Sequence, residues 1–152
     1  IEKLNSYKSI EKFFISKIYP SKLKIDIQKT NYLAITKKDD LYFYLGSNGN
    51  LIEANEKKEN LPFVYGDINV EEFLKLKKII DNSKFNFDEI KSFYYFKSRR
   101  WDLKTIDGIT IRLPLENRKK SIEIILKLLN DNEFKDIKVI DLRQDNQVIL
   151  NG

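Results

Sequence analysis

Two runs of alternating apolar and polar residues meet at Asp107-Gly108, and they constrain the fold more than any other feature of the chain. Upstream, Trp101 and Leu103 alternate with Arg100, Asp102 and Lys104. Downstream, Ile109, Ile111 and Leu113 alternate with Thr110 and Arg112. Successive side chains of a strand point to opposite faces, so each run reads as a half-buried strand. The Asp-Gly pair between them predicts a hairpin. Its register follows from the charges. A loop of Asp107-Gly108 alone sets Leu103 opposite Arg112 and Lys104 opposite Ile111, which mixes apolar and charged residues on both faces. A loop of Ile106, Asp107 and Gly108 pairs Trp101 with Leu113, Leu103 with Ile111 and Thr105 with Ile109, and sets Asp102 across from Arg112 on the other face. A slip of one residue inverts every side chain, so the segregated register is expected, with Gly108 left-handed in a bulge.

The rest of the chain punctuates into short elements. Ile1 to Tyr7 reads as the end of a short helix, Ile10 to Ile18 as a strand, and Tyr19-Pro20-Ser21 as a turn. Leu23, Ile25 and Ile27 alternate with Lys22, Lys24, Asp26 and Gln28, which predicts a half-buried strand. Asn31 to Thr36 and Leu41 to Leu45 continue a meander, and Gly46-Ser47-Asn48-Gly49 turns into Leu51-Ile52. Asn55 to Asn60 is a charged loop, and Leu61 to Gly66 is extended around Pro62. Asn69 and Glu72 have capping-box spacing before Phe73, Leu76 and Ile80, which fall on one helical face; Asn82 and Ser83 end that helix. Phe93 to Phe96 is an aromatic strand. A second helix is expected over Arg118 to Asn130, with Ile122, Ile125, Leu126 and Leu129 on one face. Ile137 to Leu142 and Val148 to Leu150 are strands separated by a turn at Gln144-Asp145-Asn146. Strands joined by tight turns, with helices at intervals, make the class α+β with a largely antiparallel sheet.

Composition removes much chemistry. The chain has no His and no Cys. That excludes thiol nucleophiles, disulfides, the usual zinc ligands and the commonest proton shuttle near neutrality. The five glycines are scattered and match no phosphate-cradling loop. Asp39-Asp40, Glu71-Glu72 and Asp131-Glu133 are the carboxylate groupings; a pair could flank a glycosidic bond, but these sit among lysines and read as solvated surface. No enzymatic activity, cofactor or metal is expected. The formal charge of +5, from 28 basic and 23 acidic residues, is interspersed along the chain and favours a solvated surface over a nucleic-acid tail. No apolar run approaches the roughly 20 residues that cross a bilayer. The chain opens at Ile1 and holds no Met, which reads as a processed or excised fragment.

Phe93-Tyr94-Tyr95-Phe96-Lys97-Ser98-Arg99-Arg100-Trp101 is the strongest nucleic-acid candidate, because aromatics stack bases while arginines neutralise phosphates. The alternation continued by Trp101 and Leu103 favours the plainer reading, a sheet whose aromatics alternate between core and surface.

The same segment carries a resemblance. Arg99-Arg100-Trp101-Asp102-Leu103, Asp107-Gly108-Ile109 and Ile111-Arg112-Leu113-Pro114 resemble the "RRW-x-L … nG-x-x-i-x-LP" stretch of alphaproteobacterial members of the FtsQ/DivIB family. Pro20 to Ile27 is similar to the family's "P-x-x-L-x-I-x-I", Gly49-Asn50-Leu51-Ile52 to its "G-x-v-i", and Leu61-Pro62 to Gly66 to its "LP-x-x-x-G". Ile140-Asp141-Leu142-Arg143, followed by Val148, resembles its "iDlR … v" ending. Where the family often has "ER-x-P-x-A", this chain has Lys29, Thr30 and Tyr32, and only Ala34 agrees.

The resemblance implies a fold and a role. The fold would be the end of a POTRA domain, residues 1–37, followed by a mostly antiparallel β-domain with two helices, residues 38–152. The parent protein would be a single-pass inner-membrane protein with this region in the periplasm. It would scaffold the division machinery without catalysis, linking early and late division proteins and recruiting FtsB and FtsL. Strand addition to the last strand would bind FtsB there, and by position the edge comprises Gln144, Asp145, Asn146, Gln147, Val148, Ile149 and Leu150. An exposed sheet edge supplies unpaired backbone groups for such a contact. Gln144 stands where the family can carry an aromatic anchor. Two other readings compete: an outer-membrane assembly protein built on POTRA units, and a single-strand nucleic-acid module.

Overall fold

The computed structural model describes residues 2–55 and 60–152. The expected charged loop falls partly on 56–59, outside the described residues. The chain divides into two compact units, Ile1–Lys57 and Lys58–Gly152.

In the first unit a helical turn, α1 (Glu2–Asn5), precedes β1 (Ile10–Ile18) and β2 (Lys22–Lys29), which pair antiparallel as a two-stranded sheet of their own. Their register sets Phe13 opposite Ile27 and Ile15 opposite Ile25. The alternation in β2 is real, but its burial is not as expected. Leu23, Ile25 and Ile27 are 65%, 48% and 50% exposed, because β1 and β2 pair only with each other and their apolar side chains stay largely open. β3 (Tyr32–Lys38), β4 (Leu41–Gly46) and β5 (Leu51–Glu53) form an antiparallel meander, with Ala34, Ile35, Tyr44 and Leu45 buried and Tyr32 stacked on Tyr44.

The second unit is a sheet of β6 (Phe63–Tyr65), β7 (Ile90–Tyr95), β8 (Trp101–Thr105), β9 (Thr110–Arg112), β10 (Val139–Asp141) and β11 (Ile149–Asn151), in the order β11-β10-β9-β8-β7-β6. Two pairings, β6 with β7 and β9 with β10, are parallel. Tight turns alone would give only antiparallel pairs; here α2 (Val70–Asp81) and α3 (Arg118–Asn130) each intervene between paired strands, and a parallel pair requires such a crossover. The hairpin between β8 and β9 has the segregated register. Leu103 faces Ile111 and Asp102 faces Arg112, and the Leu113 N–H donates to the Trp101 carbonyl. Gly108 closes the three-residue loop at φ +90°.

The core lies where the helices cover one face of this sheet. Phe73 of α2 meets Phe93 edge-on at 5.3 Å and Trp101 at 6.2 Å, and all three are fully buried. Ile122 and Ile125 of α3 are buried as well. Burying each such side chain contributes about 1.5–3 kcal/mol. Trp101 pays for its position in one respect: its indole N–H finds no acceptor among the described residues, which costs about 1–3 kcal/mol.

The start of α2 departs from a capping box. Asn69 does cap it, accepting from the Glu72 N–H at 3.2 Å. The Glu72 carboxylate does not fold back on the cap. It is buried and accepts from Lys75 at 3.2 Å and Arg99 at 3.0 Å, with Arg118 at 3.7 Å. One carboxylate therefore ties the first turn of α2 to the β7–β8 turn and to the first turn of α3. Lys75 above all, and then Arg99, hold its pKa below the ordinary glutamate value, against the opposing effect of burial.

Candidate interaction edge

β10 is held to β9 by a cluster of charges at its C-terminal end. Asp141 is buried and accepts from the Arg143 side chain through Nε at 2.8 Å and Nη2 at 2.5 Å, from the Arg143 backbone N–H at 3.1 Å, and from Arg112 at 3.4 Å. Hydrogen bonding from Arg143 lowers the Asp141 pKa to about 2. On the same face, Asp102 behaves oppositely. Burial raises its pKa, and Arg100 at 3.3 Å offsets only part of that effect. The Asp-Leu-Arg sequence of 141–143 thus places its two charges on one face as a bonded pair and turns Leu142 into the core.

β11 pairs antiparallel with β10, with Val139 opposite Asn151, Ile140 opposite Leu150 and Asp141 opposite Ile149. Among the described residues no strand lies on its other side. The direction of each backbone group follows from the neighbours. The Lys138 carbonyl accepts from Thr110 at 2.8 Å and the Leu142 N–H donates to Arg112 at 3.0 Å, both toward β9. Backbone groups alternate along a strand, so Ile140 turns its N–H and C=O to β9, and Val139 and Asp141 turn theirs to β11. Ile149 and Asn151 therefore face β10, and Leu150 turns its N–H and C=O to the open side. The Asn151 carbonyl also accepts from the Lys138 N–H at 2.8 Å, which sets Asn151 toward β10, although Lys138, with its carbonyl toward β9, departs from the alternation there.

The sequence-derived edge of 144–150 divides in two. Ile149 and Leu150 lie in β11, while Gln144 to Val148 form an exposed turn before it, with the Gln147 N–H on the Gln144 carbonyl at 3.3 Å and Asn146 left-handed at φ 58°. Asn151 belongs to the strand and was not among the expected residues. Val148 and Ile149 are 39% and 42% exposed. Beside the turn is a groove of about 530 Å³, lined in part by Pro114, Lys120, Ile124, Leu142 and Val148. The expected strand from Ile137 begins later, at Val139, because the Lys138 backbone is used in an irregular pairing with Asn151.

The aromatic-arginine segment is consumed internally. Phe93 and Trp101 are core, Arg99 pairs with Glu72, and Arg100 pairs with Asp102 while lying 4.4 Å from the Phe96 ring. Among the described residues no group of three or more His, Cys, Asp or Glu could hold a metal ion, and no helix is long and apolar enough to cross a membrane.

Comparison with known proteins bears on this architecture. The model of the family described as "Cell division protein FtsQ/DivIB, C-terminal" matches residues 34–143. The chain belongs to the FtsQ/DivIB family. Two curated relatives, both named cell division protein FtsQ, are 23% identical to it: one from Bradyrhizobium diazoefficiens over 98% of this chain, one from Rhizobium radiobacter over 93%. The chain spans 45% of the first relative's length and 69% of the second's. A solved structure of the major extracytoplasmic domain of the division protein DivIB from Geobacillus stearothermophilus aligns with TM-score 0.46 at 12% identity, covering 63% of this chain and 87% of that one. Within the FtsQ/DivIB match lie α2, α3, the β8–β9 hairpin and the Asp141–Arg143 pair; β11 lies beyond its last residue.

Proposed function

We propose that this chain is the periplasmic region of a single-pass inner-membrane division scaffold, and that it recruits FtsB, and through it FtsL, by accepting a strand of FtsB along β11. The role is binding without catalysis, joining early and late division proteins during septum formation. Residues 1–37 are assigned to the end of a POTRA domain and 38–152 to the β-domain; the family match begins near that boundary, at residue 34, whereas the two compact units part after Lys57.

The observation that carries the reading is the outward pair of backbone groups on Leu150, flanked by exposed Val148 and Ile149. An incoming strand gains main-chain hydrogen bonds there and can cover those apolar side chains. Division proteins named FtsQ among the relatives supply the setting.

Leu150→Pro tests it. Proline removes an N–H that the domain's own sheet does not use, so the fold should survive, as it does for prolines on strand edges. Binding of an FtsB C-terminal segment, followed by calorimetry, should weaken at least about tenfold, whereas Leu150→Ala should weaken it far less. Equal binding by wild type and Leu150→Pro would refute strand addition at this edge.

A further inference from the structure

A second candidate surface lies on the helical side of the second unit, away from β11. A surface groove runs along α2 and α3 in two stretches that share Ile79 and Asn82, of about 580 Å³ and 490 Å³. Its apolar line is Leu115, Ile79 and Leu126, of which Leu115 is 53% exposed. Around that line stand Lys78, Lys84, Lys119 and Lys127, and none of them has an ion-pair partner among the described residues. The contrast with their neighbours is informative. Lys75, Lys77 and Arg118, on the same two helices, are all paired with carboxylates of the domain. Glu116 and Glu123 also line the groove, so cations remain in excess.

We infer that this groove docks an acidic amphipathic helix of a partner protein. A recess between two helices with an apolar floor takes apolar side chains spaced at i, i+3, i+4 and i+7. The lysine rim selects acidic residues on the flanks of that helix and raises its rate of encounter. A flat anionic membrane meets the rim charges but does not reach a floor set between helices, which is why a peptide segment fits better. The site is independent of β11, so it allows a second partner, or a second segment of one partner, to bind while the edge strand is occupied.

The test uses the whole chain, isotope-labelled, and three probes. One is a synthetic helix with leucines at those spacings and glutamates elsewhere; the second has glutamine for each glutamate; the third is phosphatidylglycerol vesicles. The inference expects the acidic helix to shift the backbone amides of Ile79, Asn82, Leu126 and Lys127 and to leave Leu150 unmoved. It expects the glutamine helix to bind at least about tenfold more weakly, and Lys84→Glu/Lys119→Glu/Lys127→Glu to cause a similar loss with the β8–β9 amide pattern unchanged. Equal binding of the two helices, shifts confined to β11, or perturbation of the groove by vesicles and not by the acidic helix would each overturn it.

Discussion

Glu72→Gln is the sharpest probe of how the second unit is tied together. The carboxylate has 8% of its side chain exposed and meets three cations, and they do not contribute equally. Lys75 and Arg99 are 56% and 69% exposed, so solvent screens them and each pair contributes little. Arg118 is only 11% exposed; at 3.7 Å its attraction is less screened, and removing the carboxylate leaves its guanidinium without a counter-charge, held only by the Pro114 and Arg99 carbonyls. The negative charge in the first turn of α2 adds about 0.3–1 kcal/mol against the helix dipole. Glutamine keeps the shape, and the Asn69 cap rests on the Glu72 backbone N–H, which is unchanged. The expected cost is about 2 kcal/mol, read as a fall in the urea midpoint of roughly 1 M. Glu71→Gln is the control: it lies in the same turn, is 78% exposed and pairs only with Lys75, so it should cost under about 0.5 kcal/mol. The pH dependence has a fixed sign. Lys75, then Arg99, hold the folded pKa of Glu72 below its unfolded value, so its contribution is full above about pH 4.3 and fades as pH falls through the folded value. Equal midpoints for Glu72→Gln and Glu71→Gln at neutral pH would refute the reasoning.

Asp141 gives a second acid-range prediction. Its pKa of about 2 implies stability that is complete above the unfolded value near 3.9 and lost between about pH 4 and pH 2. Arg143 and Arg112 are 39% and 38% exposed, so the contribution is discounted to about 1–2 kcal/mol, and Asp141→Asn should lose that much at pH 7 by chemical denaturation. Gly66→Ala should cost more than Gly108→Ala in thermal melting. Gly66, at φ +104°, has the Tyr95 carbonyl where a Cβ would go, while Gly108, at φ +90°, opens onto empty space and suffers only about 1 kcal/mol of backbone strain.

Local rules were enough to read much of the second unit. The β8–β9 register came from keeping charge off the core face, and α3 spans the residues its apolar spacing marks, because both signals are local and agree with the tertiary packing. Three things lay beyond such rules. The parallel pairings depend on where α2 and α3 return the chain, which periodicity does not encode. The exposure of β2 depends on what covers its apolar face, and alternation only identifies that such a face exists. Two of the partners of Glu72, Arg99 and Arg118, lie 27 and 46 positions away, so spacing within α2 reveals Lys75 but not them. At the candidate edge, the sequence marked Val148 to Leu150 as apolar and terminal. Which of them presents its backbone outward depends on the phase of β10 against β9, and only the hydrogen bonds fix that.

Amide hydrogen exchange along β11, measured with and without an FtsB C-terminal segment, decides whether this edge accepts a strand. Ile149 and Asn151, turned to β10, should be protected in the free chain, Leu150 should exchange fast, and the segment should slow Leu150 selectively. A slow Leu150 amide in the free chain, or one that stays fast when the segment is bound, would contradict strand addition there.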